Sequence, residues 1–277
     1  MNDGSDSRID YDEVGSGPTV VMVPGSCSTG AAWRPIIAQW TSRFRCVTTS
    51  LLGYGGTSEH RTAATADIAQ EVEVVETVIG RAGHPVHLVG HSFGGLVALA
   101  VALRKPDLLH SLTILEAPAP EILRRCGEDD HYRSFRQMSS AYVSAFQAGQ
   151  SDAIAAMIDF YGGPGTFAAW PPGVRDYAIA TTAANLMDWS CAYGFDLTPA
   201  LLARISVPVL VAYGELSHPA PQRANELLGR SIPGGRITVI PGAAHFMIAT
   251  HAREVAQLVA EHIDRTLSAS SIEAAAR

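Results

Sequence analysis

The chain has 277 residues, 47% of them apolar, and a formal charge of −7. That length buries one large core and fits a single α/β unit carrying an insertion. An acidic balance with no Lys/Arg cluster excludes nucleic acid and an anionic membrane as natural partners.

No apolar run approaches the ~20 residues that span a bilayer, and residues 1–10 lack the apolar stretch of a secretory signal. Cys27, Cys46, Cys126 and Cys191 lie far apart, without metal-type spacing. The expectation is a soluble, cytoplasmic chain with free buried thiols.

In chain order, residues 9–13 alternate polar and apolar and run into Gly15-Ser16-Gly17-Pro18, a turn between two strands. Residues 19–23 are continuously apolar, as a strand buried on both faces must be. A helix is expected over 31–42 and a buried strand over 46–49. Ile68, Val72, Val75 and Ile79 recur at three- and four-residue spacing, which predicts an amphipathic helix. Residues 86–89 form a short apolar strand, followed by a Gly/Ser turn and a nearly all-apolar helix over 96–103. Further strands are expected at 112–115, 209–212 and 237–240. An amphipathic helix over 252–267 is expected to end in a frayed Ser/Ala tail.

Strands alternating with helices predict an α/β fold, a mostly parallel sheet with helices on both faces. The alternation stops between 118 and 203, where Pro/Gly-interrupted helical pattern replaces strands. A structureless loop of that length is rare, so 118–203 is expected to be a helical cap over a core of 1–117 and 204–277. Such a cap sits over the carboxyl ends of the strands, where these sheets bind ligands.

Gly90-His91-Ser92-Phe93-Gly94-Gly95 fits G-x-S-x-G, follows a predicted strand and opens a predicted helix, the context of a nucleophile elbow. Small residues two before and two after Ser92 let strand and helix approach through a strained turn. A serine hydroxyl needs a base to take its proton. Of ten histidines, His245 is favoured, because Gly242-Ala243-Ala244-His245-Phe246 follows the last strand at the same sheet edge as Ser92. His218 is the competitor. His91 adjoins the serine but points elsewhere, and His84 and His87 flank the far end of a strand.

With these motifs the chain resembles the α/β-hydrolase-fold superfamily, in its serine hydrolase (esterase- or lactonase-like) form with an inserted helical cap. The resemblance runs from about Ile9 to Leu267. It also rests on Pro24-Gly25 with Trp33 eight residues on, and on Gly53-Tyr54-Gly55-Gly56-Thr57-Ser58. It implies an oxyanion hole made of two backbone amides. One is that of Phe93, at the start of the helix after the nucleophile. The other is that of Ser26, where Pro24 replaces the His common in relatives. Cys27, Ser28 and Thr29 would line the mouth. Cys27 is a weaker alternative nucleophile, with no base placed beside it.

The resemblance also implies an Asp after the strand at 209–212, but the segment reads Gly214-Glu215-Leu216-Ser217 and the acid position holds a serine. Two carboxylates remain open as replacements. Glu116 ends the strand at 112–115, which in this fold lies beside the nucleophile strand, as in relatives that carry a Glu there. Glu215 is nearer in sequence but faces the other side of the loop. Glu116 is favoured, and it keeps the order Ser…acid…His.

The cap carries Met157, Phe160, Tyr161, Phe167, Trp170, Tyr177, Met187, Trp189, Tyr193 and Phe195, an apolar and aromatic set. It suits a small to medium hydrophobic ester or lactone. Asn185 and Asp188 could orient a polar group, but a surface place is the favoured expectation for either one. The predicted activity is carboxylic ester or lactone hydrolysis through an acyl-enzyme. Acyl transfer, carbon–carbon hydrolysis and perhydrolysis on the same residues remain alternatives, as does a non-catalytic ligand receptor. Epoxide and haloalkane hydrolysis need a carboxylate at position 92. No cofactor or metal is expected, since no dinucleotide fingerprint or metal-ligand cluster occurs.

Overall fold

The computed structural model of the chain describes residues 8–40 and 42–275, with side chains as far as residue 269. The expectation of no secretory signal over 1–10 falls mostly outside these described residues. Seven strands, β1 (Asp12–Val14), β2 (Thr19–Val23), β3 (Arg45–Thr48), β4 (Val86–His91), β5 (Leu109–Leu115), β6 (Val209–Gly214) and β7 (Arg236–Ile240), form one sheet. Its order is β1-β3-β2-β4-β5-β6-β7. Only β1 runs antiparallel to its neighbour, pairing Glu13 with Val47, and the other pairs are parallel.

The apolar runs become inner strands because both faces of the sheet are covered. All six residues of β4 are buried. Alternate side chains point to opposite faces. Val21, Val23, Val47, Leu88, Ile114 and Val211 join one core with α2 (Ile68–Ala82) and α3 (Phe93–Arg104). Val20, Met22, Cys46, Val89, Leu115 and Ala212 join the other with Val255, Val259 and Ile263 of α13 (Ala252–Ala275). Asp67 starts α2 with a capping box, accepting from Ala69 N at 2.8 Å while Gln70 Oε1 accepts from Asp67 N at 3.0 Å. In α3 every residue from Phe93 to Ala102 is buried, as its all-apolar sequence requires.

Two local expectations need correction. The helix expected over 31–42 is a 3₁₀ turn, Gly30–Trp33, followed by the single turn α1 (Arg34–Ile37). Pro35 lacks an N–H and disfavours helical backbone in the residue before it, so it starts a helix rather than continuing one. The Ser/Ala tail, expected to fray, is helical as far as Ala275.

Between β5 and β6 the described residues hold helices and no strand, as expected. These are α4 (Pro120–Arg125), α5 (Asp129–Gln147), α6 (Ala155–Gly162), α7 (Thr166–Ala169), α8 (Pro172–Ala180), α9 (Thr182–Gly194) and α10 (Pro199–Leu202). Gly163 and Gly165, both at positive φ, separate α6 from α7, and Pro171-Pro172 starts α8. After β6 come α11 (Pro219–Ser231), and after β7 α12 (Met247–Thr250) and α13. No helix among the described residues is long and apolar enough to cross a membrane.

Candidate active site

β4 delivers Ser92 to the carboxyl edge of the sheet, and α3 leaves from the next residue. The turn between them is strained: Ser92 sits at φ +53° and ψ −129°, a region that costs a non-glycine residue about 1–3 kcal/mol. The turn is held by Ser92 N donating to Leu115 O at 2.9 Å and by backbone contact that tolerates no side chain. A Cβ on Gly90 would lie 2.3 Å from Gly94 O, and one on Gly94 would lie 2.3 Å from Pro24 O.

His245 reaches the same edge from the loop between β7 and α12. Its Nε2 lies 3.0 Å from Ser92 Oγ, and its Nδ1 lies 2.8 Å from Glu116 Oε1. A carboxylate accepts only, so Nδ1 carries the proton and the Nε2 lone pair faces the serine hydroxyl. The imidazole is packed on several sides: Tyr161 lies 4.1 Å from it between ring centroids, His91 4.9 Å and Phe246 5.2 Å. His91 Nε2 donates to the His245 carbonyl at 2.9 Å. Burial, then the neighbouring His245, pushes the pKa of His91 down to about 3, so His91 is neutral at ordinary pH.

Glu116 follows β5, with φ +49° and its backbone N donating to Ala212 O at 2.8 Å. Its carboxylate is fully buried. Besides His245 it accepts from Gly214 N at 3.0 Å and from Ser217 Oγ at 2.6 Å, both on Oε2. The serine in the expected acid position thus supports the carboxylate that contacts the histidine. Glu215 turns away, accepting from Gly242 N at 2.8 Å on the exposed side of the loop. His218 is turned elsewhere too: its Nδ1 accepts from Ala220 N at 3.1 Å, capping α11, and its ring stacks on Phe160.

Ser92 and His245 open into a cavity of about 510 Å³, lined on one side by Met157, Ile158, Tyr161, Trp170 and Trp189 from the segment between β5 and β6. Ser26, Cys27, Ser28 and Phe93 line the same cavity. Phe93 is the first residue of α3, where an amide N–H has no intrahelical acceptor. Thr29 lies apart from this cavity and caps the 3₁₀ turn through its hydroxyl. Burial raises the Cys27 thiol to about 12, which keeps it protonated.

The expectation of a surface place for Asn185 and Asp188 is overturned: each is 2% exposed and lines the cavity. Asp188 accepts from Ser26 Oγ and Tyr54 Oη, each at 2.6 Å, and from Arg61 Nη1 at 2.8 Å. Arg61 also pairs with Glu71 at 2.7 Å and Glu59 at 2.8 Å. Sequence reasoning missed this cluster. One signal was available, since Glu71 falls on the Ile68/Val72/Val75 stripe of α2, where a carboxylate needs a buried cation.

The fold and sequence both have known counterparts. The chain is 26% identical over 280 residues to a pimeloyl-[acyl-carrier protein] methyl ester esterase of Aeromonas hydrophila subsp. hydrophila, covering 92% of this chain and 98% of that one. Its backbone resembles a thermophilic esterase from Thermogutta terrifontis, with a TM-score of 0.72, 20% identity and 93% of each chain covered. It also resembles the enol-lactonase from Burkholderia xenovorans LB400, with a TM-score of 0.72, 18% identity, and 92% of this chain and 96% of that one covered. The sequence model of the alpha/beta hydrolase family matches residues 20–258, from the start of β2 into α13. The chain belongs to the alpha/beta hydrolase family.

Proposed function

We propose that this chain hydrolyses a small to medium apolar carboxylic ester or lactone, with Ser92 as nucleophile, His245 as general base and acid, and Glu116 as the carboxylate behind the histidine. The observation that carries this reading is the continuous relay Ser92 Oγ–His245 Nε2 and His245 Nδ1–Glu116 Oε1, at 3.0 and 2.8 Å. His245 Nε2 takes the hydroxyl proton as Ser92 Oγ attacks the carbonyl carbon. The tetrahedral oxyanion is held by the amides of Ser26 and Phe93, the latter at the N-terminus of α3. His245 then protonates the leaving alcohol, the acyl group stays on Ser92, and a water activated by the same Nε2 releases the acid. Glu116 stabilises the imidazolium formed in each half-reaction.

The apolar cavity supports an apolar acyl or alcohol group, and residues 118–203 act as the cap that shields it from water. The esterase and lactonase relatives support ester chemistry. Four unpaired cysteines support a reducing, cytoplasmic setting.

The test is turnover of p-nitrophenyl acetate and butyrate, and of simple lactones. Ser92→Ala is expected to abolish it. Glu116→Gln should lower kcat by about 10²–10⁴, whereas Glu215→Gln should change it by no more than about twofold. Absence of wild-type turnover on every ester and lactone overturns the reading. A larger loss in Glu215→Gln than in Glu116→Gln overturns the acid assignment. An acyl-enzyme discharged by added alcohol but not by water moves the chain to acyl transfer.

A further inference from the structure

The Asp188 cluster ties the helices between β5 and β6 to the loop that carries Ser26. We propose that Asp188 is a positioning residue: it holds Ser26 through the serine hydroxyl and thereby sets the Ser26 amide that faces the oxyanion. The inference rests on the ester hydrolase reading given above.

Ser26 lies in a loop without regular secondary structure, between Pro24-Gly25 and Cys27, and Cys27 sits at φ +56°. A strained loop needs outside contacts to keep one geometry. One is steric, since a Cβ on Gly25 would lie 2.8 Å from Ser92 Cβ. The other is the hydrogen bond from Ser26 Oγ to Asp188 Oδ2 at 2.6 Å, spanning 162 residues of sequence. A serine has one hydroxyl proton, so donating it to Asp188 fixes the side chain and leaves only the backbone N–H to face a substrate oxyanion.

Asp188 is built to be held still. Tyr54 Oη donates to the same Oδ2 at 2.6 Å, and Arg61 Nη1 donates to Oδ1 at 2.8 Å. Arg61 has no exposed side-chain surface and is itself held by Glu71, Glu59 and the Leu52 carbonyl. Burial pushes the Asp188 carboxyl up, and the Arg61 guanidinium and the Ser26 and Tyr54 hydroxyls that donate to it oppose that shift. Asp188 also lines the cavity, so a substrate contact is the competing role, and the two separate kinetically. A positioning role acts on kcat, because the oxyanion forms in both half-reactions, whereas a substrate contact acts on KM.

The experiment measures p-nitrophenyl butyrate kinetics near pH 8 for wild type, Asp188→Ala, Ser26→Ala and the double variant, with thermal unfolding of each. Expected is a fall in kcat of roughly tenfold or more in either single variant, at nearly constant KM, as a displaced oxyanion donor requires. In the Ser26→Ala background, Asp188→Ala should then cost less than about twofold, because both remove the same tie. Should Asp188→Ala fail to fold, Ser26→Ala, which leaves Arg61 with its three carboxylates, decides alone by its own kcat. An unchanged kcat in Ser26→Ala, a raised KM at constant kcat, or additive losses in the double variant overturns the role. Absence of wild-type turnover overturns the hydrolase reading first, and is distinguished from these outcomes by the wild-type control.

Discussion

Ser217 Oγ donates to Glu116 Oε2 at 2.6 Å, joining residues 101 apart in sequence. The family's usual acid position is therefore occupied by a hydrogen-bond donor that serves a carboxylate on the neighbouring strand. With Gly214 N and His245 Nδ1, it gives the fully buried Glu116 three donors. Such a carboxylate is held in one orientation by its partners.

Ser217→Ala removes one of those donors from a buried anion, which costs about 1–3 kcal/mol of stability and should lower kcat severalfold with little change in KM. Ser217→Asp is expected to be worse. It puts a second carboxylate beside Glu116, and two close buried carboxylates cannot both ionise, so one proton is shared between them. Kinetics of both variants, with urea unfolding, check this. A Ser217→Asp enzyme with full activity would mean that position 217 can take over the acid role.

Gly25→Ala should injure activity more than stability. The new Cβ would meet Ser92 Cβ at 2.8 Å, and the His91 carbonyl at 3.3 Å, so the 24–29 loop or the elbow must shift. A shift near 1 Å at a reacting atom costs about 10² in rate. The measurement pairs kcat with the unfolding midpoint. A large loss of midpoint with kcat intact would contradict the expectation.

His87 offers a pH test away from the cavity. It is buried at the other end of β4, its Nδ1 lies 2.8 Å from Ser111 Oγ, and burial pushes its pKa down to about 4. An unfolded histidine titrates near 6.5. Below that pH the unfolded chain takes a proton that the folded chain refuses. The stabilising contribution is therefore complete above about 6.5 and is lost as the pH falls toward 4. His87→Gln keeps a hydrogen-bonding side chain but removes this proton. Relative to wild type it should gain up to about 1.4 kcal/mol per pH unit below about pH 6. Urea unfolding at about pH 7.5, 6 and 5 measures the difference, and parallel curves would refute it.

The parts of this protein legible in the sequence are those dictated locally. The strands at 19–23 and 86–89 follow from apolar runs that only a doubly covered sheet can hide. The elbow is legible because a turn that tight needs Gly90 and Gly94 around Ser92. The turn after β7 marks His245 in the same way, by its glycine and its place at a sheet edge. Such signals need only a few consecutive residues.

Tertiary structure decided what depends on residues brought from afar. Glu116 and Glu215 are chemically alike, and what separates them is strand adjacency, which brings the end of β5 beside β6 and carries Glu116 to Ser217 and His245. Asp188 reads as a surface residue because a lone carboxylate on a helix costs least in water. Its burial depends on Arg61, Tyr54 and Ser26, which are 127, 134 and 162 residues away. A charge can leave water only when its partners arrive with it, and no local pattern reports that arrival.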